Sequence, residues 1–467
     1  MAVAPYRIFS RLLLLVLLVG STAQVWTLWP FQVPDEHRHW TAAVAHVPFL
    51  ENCNRLYGLV DLFAPESMHR RPGVKATPGT LAAAENPKPA CYQPFMNYGG
   101  PSTYPGAEIA VAVGSALGLS ALAIFYLARF FQAALILTLL AVLLVRVGRL
   151  KTSSFWRQLF TLYTGLFCLL PVALQQHSGV TADGVVSVFA LVIAIVLVGD
   201  GPLTRWEQGV YAAGQLCAVL AKAPLMLWVF PVGAWLQERG RLTQDSKHRF
   251  LKLSGLVVAL TVVLAFVSLS HTVPGQHSNP EAQKTFLREQ PVEAFLVLAR
   301  STNYWLFRFP GFTGPLGHLD YGISPRAVNL QNALFGLLLL GFLLPALCPW
   351  RKWTFRWHGY SRRKFAVDLF GFVCFWGSGF LITFFLFLYW SAPGRAFVDG
   401  LQARYFLGHY IVFLAWLGMR LDDVVSIETP APAVPYAWIS WCTGAAFAVL
   451  SCTYVSERVF WNLARYQ

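Results

Sequence analysis

The sequence has little charge and lacks the short motifs that mark many soluble enzymes. Only 12% of its 467 residues are charged, whereas 56% are hydrophobic. A soluble chain of this length needs more polar surface, so the composition excludes an ordinary soluble enzyme. The sequence contains no Walker loop, no GxGxxG opening a helix in a βαβ unit, no HExxH and no CxxC. It also has no internal repeat, which weakens an interpretation as an inverted-repeat transporter.

Long apolar runs are what the sequence has instead. Residues 8–29, 253–270, 328–348 and 366–390 each approach or exceed the roughly 20 residues that cross a bilayer. Helices are expected, because lipid offers the backbone no other hydrogen-bonding partner. The alternating pattern of an outer-membrane barrel is absent. We therefore predict an all-α, polytopic transmembrane bundle of about eleven spans, with 1–467 forming one integral membrane domain.

The net charge of +14 is distributed as expected for a membrane protein with a cytoplasmic N-terminus. Basic clusters at 146–157, 239–252 and 351–364 lie in short links between apolar runs, as the positive-inside rule expects of cytoplasmic loops. The charge therefore reports topology and argues against nucleic acid as a partner. Two long polar segments remain for the outer face: a first extracytoplasmic loop at 30–105 and a second extracytoplasmic region at 271–327.

The segment after the first loop holds more apolar sequence than one span needs. A full span over 106–127 would place the basic cluster that begins at Arg146 outside, against the charge bias. We therefore predict an interfacial helix at 107–119, within a lead-in of 106–127, followed by the second span at 130–147. The remaining spans are predicted near 157–174, 183–199, 209–221, 224–237, 253–270, 328–348, 366–390, 405–420 and 436–453.

Two of the eight cysteines, Cys53 and Cys91, lie in the first loop. Because that loop is expected outside the cytoplasm, a disulfide between them is chemically allowed. Their spacing does not show whether the two sulfurs meet. The other six cysteines fall in or beside apolar runs, where small packing residues are expected.

Charged residues follow the first span directly, with Asp35 and Glu36 preceding His37, Arg38 and His39. Adjacent carboxylates at the lip of a bundle could supply a general base for an acceptor hydroxyl, while a neighbouring group orients the acceptor. No metal is expected, although a divalent ion at Asp35 and Glu36 is left open. The alternative interpretation is a solvated loop that happens to be charged.

Two cations on the same predicted side are the most informative. Lys222 lies between apolar runs and ahead of Pro224, where an ionisable group is costly and usually placed for function. Arg404 opens the predicted span 405–420. A departing phosphate needs such positive charge where negative charge develops. The alternatives are that Lys222 snorkels to the interface and that Arg404 meets lipid headgroups.

Together these features resemble the GT-C superfamily of membrane glycosyltransferases. The likeness lies in the acidic pair after the first span, the long outer loop, the interfacial helix and the lysine-containing break between two short spans. More closely, the chain is similar over about residues 8–420 to a largely uncharacterised bacterial branch with a Pro-Asp-Glu first-loop signature. The motifs that carry this similarity are Pro34-Asp35-Glu36 with His39, Tyr98 to Pro105, Ser178 to Asp183, Leu316 to Asp320, and Gln402-Ala403-Arg404-Tyr405-Phe406.

The chain departs from that branch in two places. It has Gly99-Gly100-Pro101 where the branch tends to have His-Pro-Pro, and Ala403 where the branch has glycine. Neither departure removes a charged group, so they bear on the geometry of the loop rather than on the class.

The resemblance implies transfer of a sugar, with inversion, from a polyprenyl-phosphate donor to a glycan, glycolipid or protein acceptor. The site would face outward from a bacterial inner membrane, and no cofactor is expected. Asp35 would be the general base assisted by Glu36, and Lys222 and Arg404 would bind the donor phosphate. The further candidates for substrate contacts are Arg38, His39, Tyr98, Asp183, Gln402 and Tyr405.

Two other classes stay open. A transporter or a flippase for cell-envelope glycan intermediates would also use many spans, but it should carry charged or broken helices in both halves and a pathway through the bilayer. A scaffold protein would not require Asp35. The concentration of polar residues on one predicted face favours chemistry at that face.

Overall fold

The computed structural model describes residues 3–27, 33, 35–51, 53–63, 78–91, 103–150, 155–270, 278–307 and 355–427. Over these residues the protein is mostly helical, as predicted. Two short antiparallel strand pairs are additional to the prediction. Tyr98 and the predicted spans at 328–348 and 436–453 lie outside the described residues.

The first helix and the first loop form the N-terminal part of the fold. Their elements are α1 Val3–Thr27, α2 Glu36–Ala45, β1 Cys53–Asn54, α3 Arg55–Phe63, α4 Pro78–Glu85, β2 Ala90–Cys91 and α5 Pro105–Ala116.

The remaining helices form the bundle, together with two 3-10 helices and a second strand pair. They are α6 Ala121–Gly148, α7 Phe155–Cys168, α8 Pro171–His177, α9 Ala182–Val198, α10 Arg205–Ala221, the 3-10 helix Ala223–Trp228, α11 Val229–Glu238, α12 Gln244–Ser270, α13 Pro280–Glu289, α14 Pro291–Phe307, β3 Phe355–Trp357, α15 Arg362–Tyr389, the 3-10 helix Ala403–Phe406, α16 Leu407–Val424 and β4 Val425–Ile427.

Three helices in the described part of the chain are long and apolar enough to cross a membrane: Tyr6–Trp26, Ala121–Gly148 and Arg362–Tyr389. A shorter apolar helix, Ala182–Val198, accompanies them. The expected total of about eleven spans is not confirmed, because several predicted spans correspond to shorter helices. The predicted span 157–174, for example, is divided between α7 and α8.

Helix α9 lies at the centre of the bundle. Each of its 17 residues is buried, and it packs against α6, α10 and α16. A helix that is apolar on every side needs neighbours all around it, so the run of valine, isoleucine and leucine in Ala182–Val198 explains this central position. The first turn of α9 therefore lies inside the bundle. It contains Asp183, which is the only charged residue of α9.

Helices α5 and α6 form a hairpin at the start of the bundle. A Cβ added to Gly114 of α5 would come within 2.7 Å of Ile124, so the close approach of the two helices requires glycine there. Helix α6 is continuous from Ala121, whereas the charge pattern of the sequence predicts that the second span begins near residue 130. Its first two turns pack with the helices of the first loop, and its later turns pack in the bundle core.

The described segments of the first loop form a folded cap. Trp40 is fully buried at its centre, donates a hydrogen bond from Nε1 to the carbonyl of Leu56 at 3.0 Å, and meets the ring of Phe125 edge-on. Cys53 and Cys91, whose pairing the sequence left open, form a disulfide between β1 and β2. The covalent link joins two segments of the loop, and the apolar packing holds the loop against α5 and α6.

The opposite end of the bundle contains many of the basic residues that the sequence analysis expected in cytoplasmic links. Several form ion pairs with acidic residues, as Arg157 does with Asp200 and Asp422, each at 2.6 Å. Arg420 similarly bonds Asp368 and Glu238. These pairs join neighbouring helices, so part of the positive charge has a structural role.

Candidate functional site

Asp35 stands at the N-terminus of α2 with a left-handed backbone, φ 60° and ψ 5°. Few residues other than glycine adopt this conformation, and such outliers concentrate at functional sites. The Asp35 carbonyl accepts hydrogen bonds from the backbone N–H groups of Arg38 and His39 at 3.0 and 3.1 Å. Its carboxylate does not cap α2; it accepts a hydrogen bond from Arg404 Nη2 at 2.7 Å. The backbone thus presents the carboxylate to a distant part of the chain.

Arg404 lies in the 3-10 helix Ala403–Phe406, and its side chain is 5% exposed. Besides bonding Asp35, its Nε is 3.4 Å from Asp183 Oδ2. Asp183 is held in the first turn of α9, where the Thr181 hydroxyl caps the helix. Arg404 therefore bridges a carboxylate of the first loop and a carboxylate of the central helix.

Lys222 joins α10 to the 3-10 helix Ala223–Trp228 in an extended conformation. Pro224 lacks a backbone N–H, and in a continuous α-helix its ring would clash with the carbonyl four residues earlier, so α10 ends before this point. The Lys222 ammonium donates to Asp183 Oδ1 and lies 4.1 Å from the centre of the Tyr405 ring. Arg404 lies 5.3 Å from the centre of the same ring. We call Asp35, Asp183, Lys222, Arg404 and Tyr405 the charged cluster.

The charged cluster is electrically balanced, since it contains two carboxylates and two cations. Burial alone raises the pKa of Asp35, but the nearby charges of Arg404, His39 and Arg38 outweigh it and hold that pKa at about 2. Asp35 is consequently a carboxylate at neutral pH. Burial lowers the pKa of His39 to about 4, so its imidazole is neutral there. The Nδ1 of His39 is 2.7 Å from the Tyr104 hydroxyl, inside the folded cap.

Glu36 faces away from the charged cluster, although the sequence predicts a role for it beside Asp35 in catalysis. Its carboxylate is fully buried and accepts bonds from Arg129 Nε at 2.8 Å and Nη2 at 2.5 Å. It also accepts a bond from the backbone N–H of Val180 at 3.1 Å. Successive helical residues point about 100° apart, which explains why Asp35 contacts Arg404 while its neighbour Glu36 contacts Arg129. Glu36 fixes the turn that leads into α9, and so helps to position Asp183.

The other candidates occupy varied positions. Arg38 lies over the Trp390 ring, 5.8 Å from its centre and one turn along α2 from Asp35. Gln402 immediately precedes the 3-10 helix that carries Arg404, and its side chain is half-buried. Tyr98 lies outside the described residues. Within the described ranges no group of three or more His, Cys, Asp or Glu side chains could hold a metal ion.

Arg129 is the residue that sequence reasoning missed. It is fully buried, and its guanidinium lies 4.6 Å from the centre of the Phe125 ring in addition to pairing with Glu36. Its signal was an arginine in the middle of a long apolar run. A charge in that position requires a buried partner of opposite charge. Glu36 is that partner, although the sequence suggested a role for it beside Asp35 instead.

These features define a helical membrane protein in which the charged cluster lies where the first loop meets the bundle. The chain belongs to the family described as predicted membrane protein DUF2142, which matches residues 90–412, more than half of its length. No curated protein and no solved structure matches the chain. The matched region includes Asp183, Lys222 and Arg404, while Asp35 precedes it.

Proposed function

We propose that this membrane protein is an inverting glycosyltransferase that moves a sugar from a polyprenyl-phosphate donor to an acceptor at the extracytoplasmic face. The observation that carries the proposal is the charged cluster, in which a carboxylate from the first loop meets an arginine and, through Asp183, a lysine. A general base and two phosphate ligands are the groups that such a transfer requires. The resemblance to the GT-C superfamily suggested the same three residues.

In the proposed reaction Asp35 accepts the proton of the acceptor hydroxyl. The acceptor oxygen forms a bond to the anomeric carbon as the bond from that carbon to the phosphate oxygen breaks. The electron pair of the broken bond leaves with the phosphate, next to Lys222 and Arg404, and the products are the glycosylated acceptor and polyprenyl phosphate. A single displacement of this kind inverts the anomeric centre. Tyr405 and Asp183 keep the two cations in place.

A lipid-linked donor fits the location proposed for the site. Nucleotide sugars are confined to the cytoplasm, whereas a sugar on a lipid carrier reaches the outer leaflet and partitions to a membrane protein. The carrier phosphate would approach the charged cluster from the bilayer, and the acceptor would approach from the first loop. Glu36 and Arg129 act as positioning residues below the cluster, because Glu36 holds Val180 three residues before Asp183.

The test compares cells that lack the gene with cells that express the wild-type protein, Asp35→Asn or Asp61→Asn. Asp61 is an exposed carboxylate of α3, so its variant makes the same change in charge away from the cluster. Loss of the enzyme should leave sugar-loaded polyprenyl phosphate unspent, and mass spectrometry of extracted lipids measures that pool. We expect accumulation in the deletion and in Asp35→Asn, and a normal pool in Asp61→Asn. A normal pool in Asp35→Asn, with equal protein in the membrane, would refute the base assignment.

A reconstituted system separates this proposal from a flippase. Purified protein in liposomes receives the lipid pool from the deletion strain as donor and a cell-envelope extract of the same strain as acceptor, and free polyprenyl phosphate is measured. An enzyme cleaves the bond between sugar and phosphate, so the product appears, and Asp35→Asn abolishes it. Movement of the lipid across the bilayer without any cleavage would favour a flippase and overturn the proposal.

A further inference from the structure

The charged cluster has no spare positive charge in the structure. Arg404 bonds Asp35 and approaches Asp183, and Lys222 donates to Asp183, so each cation already faces a carboxylate. A phosphate that enters this cluster meets two negative charges together with the two positive ones. Tight binding therefore requires one carboxylate to give up its position.

We propose that Asp35 occupies the place of the donor phosphate on Arg404, and that donor binding displaces the Asp35 carboxylate and frees it to act as the base. The inference rests on the proposed function and adds its order of events. Donor binds first, the contact between Arg404 and Asp35 is exchanged for a contact between Arg404 and phosphate, and the acceptor is then deprotonated. The exchange keeps the protein from activating acceptor hydroxyls, or water, before a donor is present.

The two carboxylates differ in their freedom to move, which identifies Asp35 as the one displaced. The Asp35 side chain is 33% exposed, whereas that of Asp183 is 6% exposed. Asp183 is anchored in the central helix and accepts from Lys222, while the described hydrogen bond to the Asp35 carboxylate comes from Arg404 alone. Asp35 also stands at the end of α2 and does not cap the helix, so its side chain can rotate without opening a helical turn.

The exchange also improves Asp35 as a base. In contact with Arg404 its pKa is held at about 2, and a carboxylate with so low a pKa accepts a proton poorly. Once a phosphate takes over Arg404, Asp35 loses that favourable charge and gains a negative neighbour, and both changes raise its pKa. The groups that still act on it are Arg38, His37 and His39 on α2, together with Lys222 and Tyr405 from the bundle.

Binding of a soluble lipid phosphate tests the exchange directly. Farnesyl phosphate carries the phosphate and an isoprenoid chain but no sugar, so binding is measured without turnover. The purified full-length proteins to compare are the wild type, Asp35→Asn, Asp35→Glu and Asp61→Asn. We expect Asp35→Asn to bind farnesyl phosphate at least about tenfold more tightly than the wild type, because it removes the competing negative charge. Asp35→Glu, which keeps a carboxylate, and Asp61→Asn should bind as the wild type does.

Each outcome bears on the proposal. Equal or weaker binding by Asp35→Asn would overturn the exchange, and so would equal tightening by Asp61→Asn, since a change in net charge would then suffice. Asp35→Ala provides a second removal variant if the asparagine protein does not fold. If the wild type and every variant fail to bind farnesyl phosphate, the proposed function fails and the exchange fails with it. Binding by the wild type without tightening in Asp35→Asn or Asp35→Ala refutes only the exchange.

Discussion

The buried pair of Glu36 and Arg129 gives the most demanding test of how the site is supported. Both side chains are 0% exposed, and two hydrogen bonds of 2.8 and 2.5 Å join them. Replacing Arg129 with methionine leaves the Glu36 carboxylate buried with only the N–H of Val180 as a described donor. Removing one partner of a buried pair costs about 3–5 kcal/mol, because the remaining charge is uncompensated. We expect a loss of that size in Arg129→Met.

The double variant Glu36→Gln with Arg129→Met removes both charges and supplies the control. It should lose less stability than the sum of the two single variants, with a coupling of about 1–3 kcal/mol. Unfolding by sodium dodecyl sulfate in mixed micelles, followed by tryptophan fluorescence, measures all four proteins. Additive effects, or a loss below about 1 kcal/mol in Arg129→Met, would show that the pair does not hold the cap to the bundle.

The same variants distinguish positioning from catalysis. If Glu36 only holds the turn before Asp183, the double variant should keep measurable sugar transfer where it folds, whereas Asp35→Asn should keep none. Complete loss of transfer in a folded double variant would return Glu36 to the reacting centre.

Three further predictions concern the charged cluster and the cap. Arg404→Lys keeps the charge but not the guanidinium fork, so it should weaken donor binding less than Arg404→Met does. Equal effects of the two Arg404 variants would show that charge at this position does not matter. Lys222→Met should also weaken donor binding. Removing the disulfide with Cys53→Ser should destabilise the cap by about 2–4 kcal/mol, as measured by limited proteolysis of the first loop, and unchanged proteolysis would contradict it. The acid limb of kcat should lie about one pH unit or more above that of kcat/KM, because donor binding raises the pKa of Asp35; coincident limbs would contradict the exchange.

The lowered pKa of Asp35 also fixes the direction of its effect on stability. Because the pKa falls from 3.8 to about 2 on folding, the ion pair with Arg404 stabilises the folded state fully above the ordinary pKa. That contribution is lost as the pH falls from about 4 toward 2. Over the physiological range the contact between Asp35 and Arg404 is therefore independent of pH.

The sequence predicted the components of the cluster better than their arrangement. Asp35, Lys222 and Arg404 were each recognisable, because each interrupts or borders an apolar run where a charge is costly. That they converge depends on how distant helices pack, which no local pattern records. The contact between Asp35 and Arg404 joins residues 369 positions apart.

Two other features show why adjacency in sequence misleads. Asp35 and Glu36 look like one acidic pair, but the end of a helix turns them toward Arg404 and Arg129 respectively. The start of the second span was predicted near residue 130 from the distribution of basic residues. That distribution indicates which loops are cytoplasmic, but it does not indicate where a helix begins. Helix α6 begins at Ala121, because its first turns pack against the folded cap.

The central claim is that the charged cluster receives the phosphate of a polyprenyl-linked donor. A cryo-electron microscopy structure of the protein in lipid nanodiscs with undecaprenyl phosphate tests it most directly. We predict phosphate oxygens within about 3 Å of the Lys222 ammonium and the Arg404 guanidinium, with the Asp35 carboxylate turned away from Arg404 toward the first loop. A phosphate bound elsewhere while Arg404 keeps its bond to Asp35, or a continuous passage across the bilayer, would contradict the account.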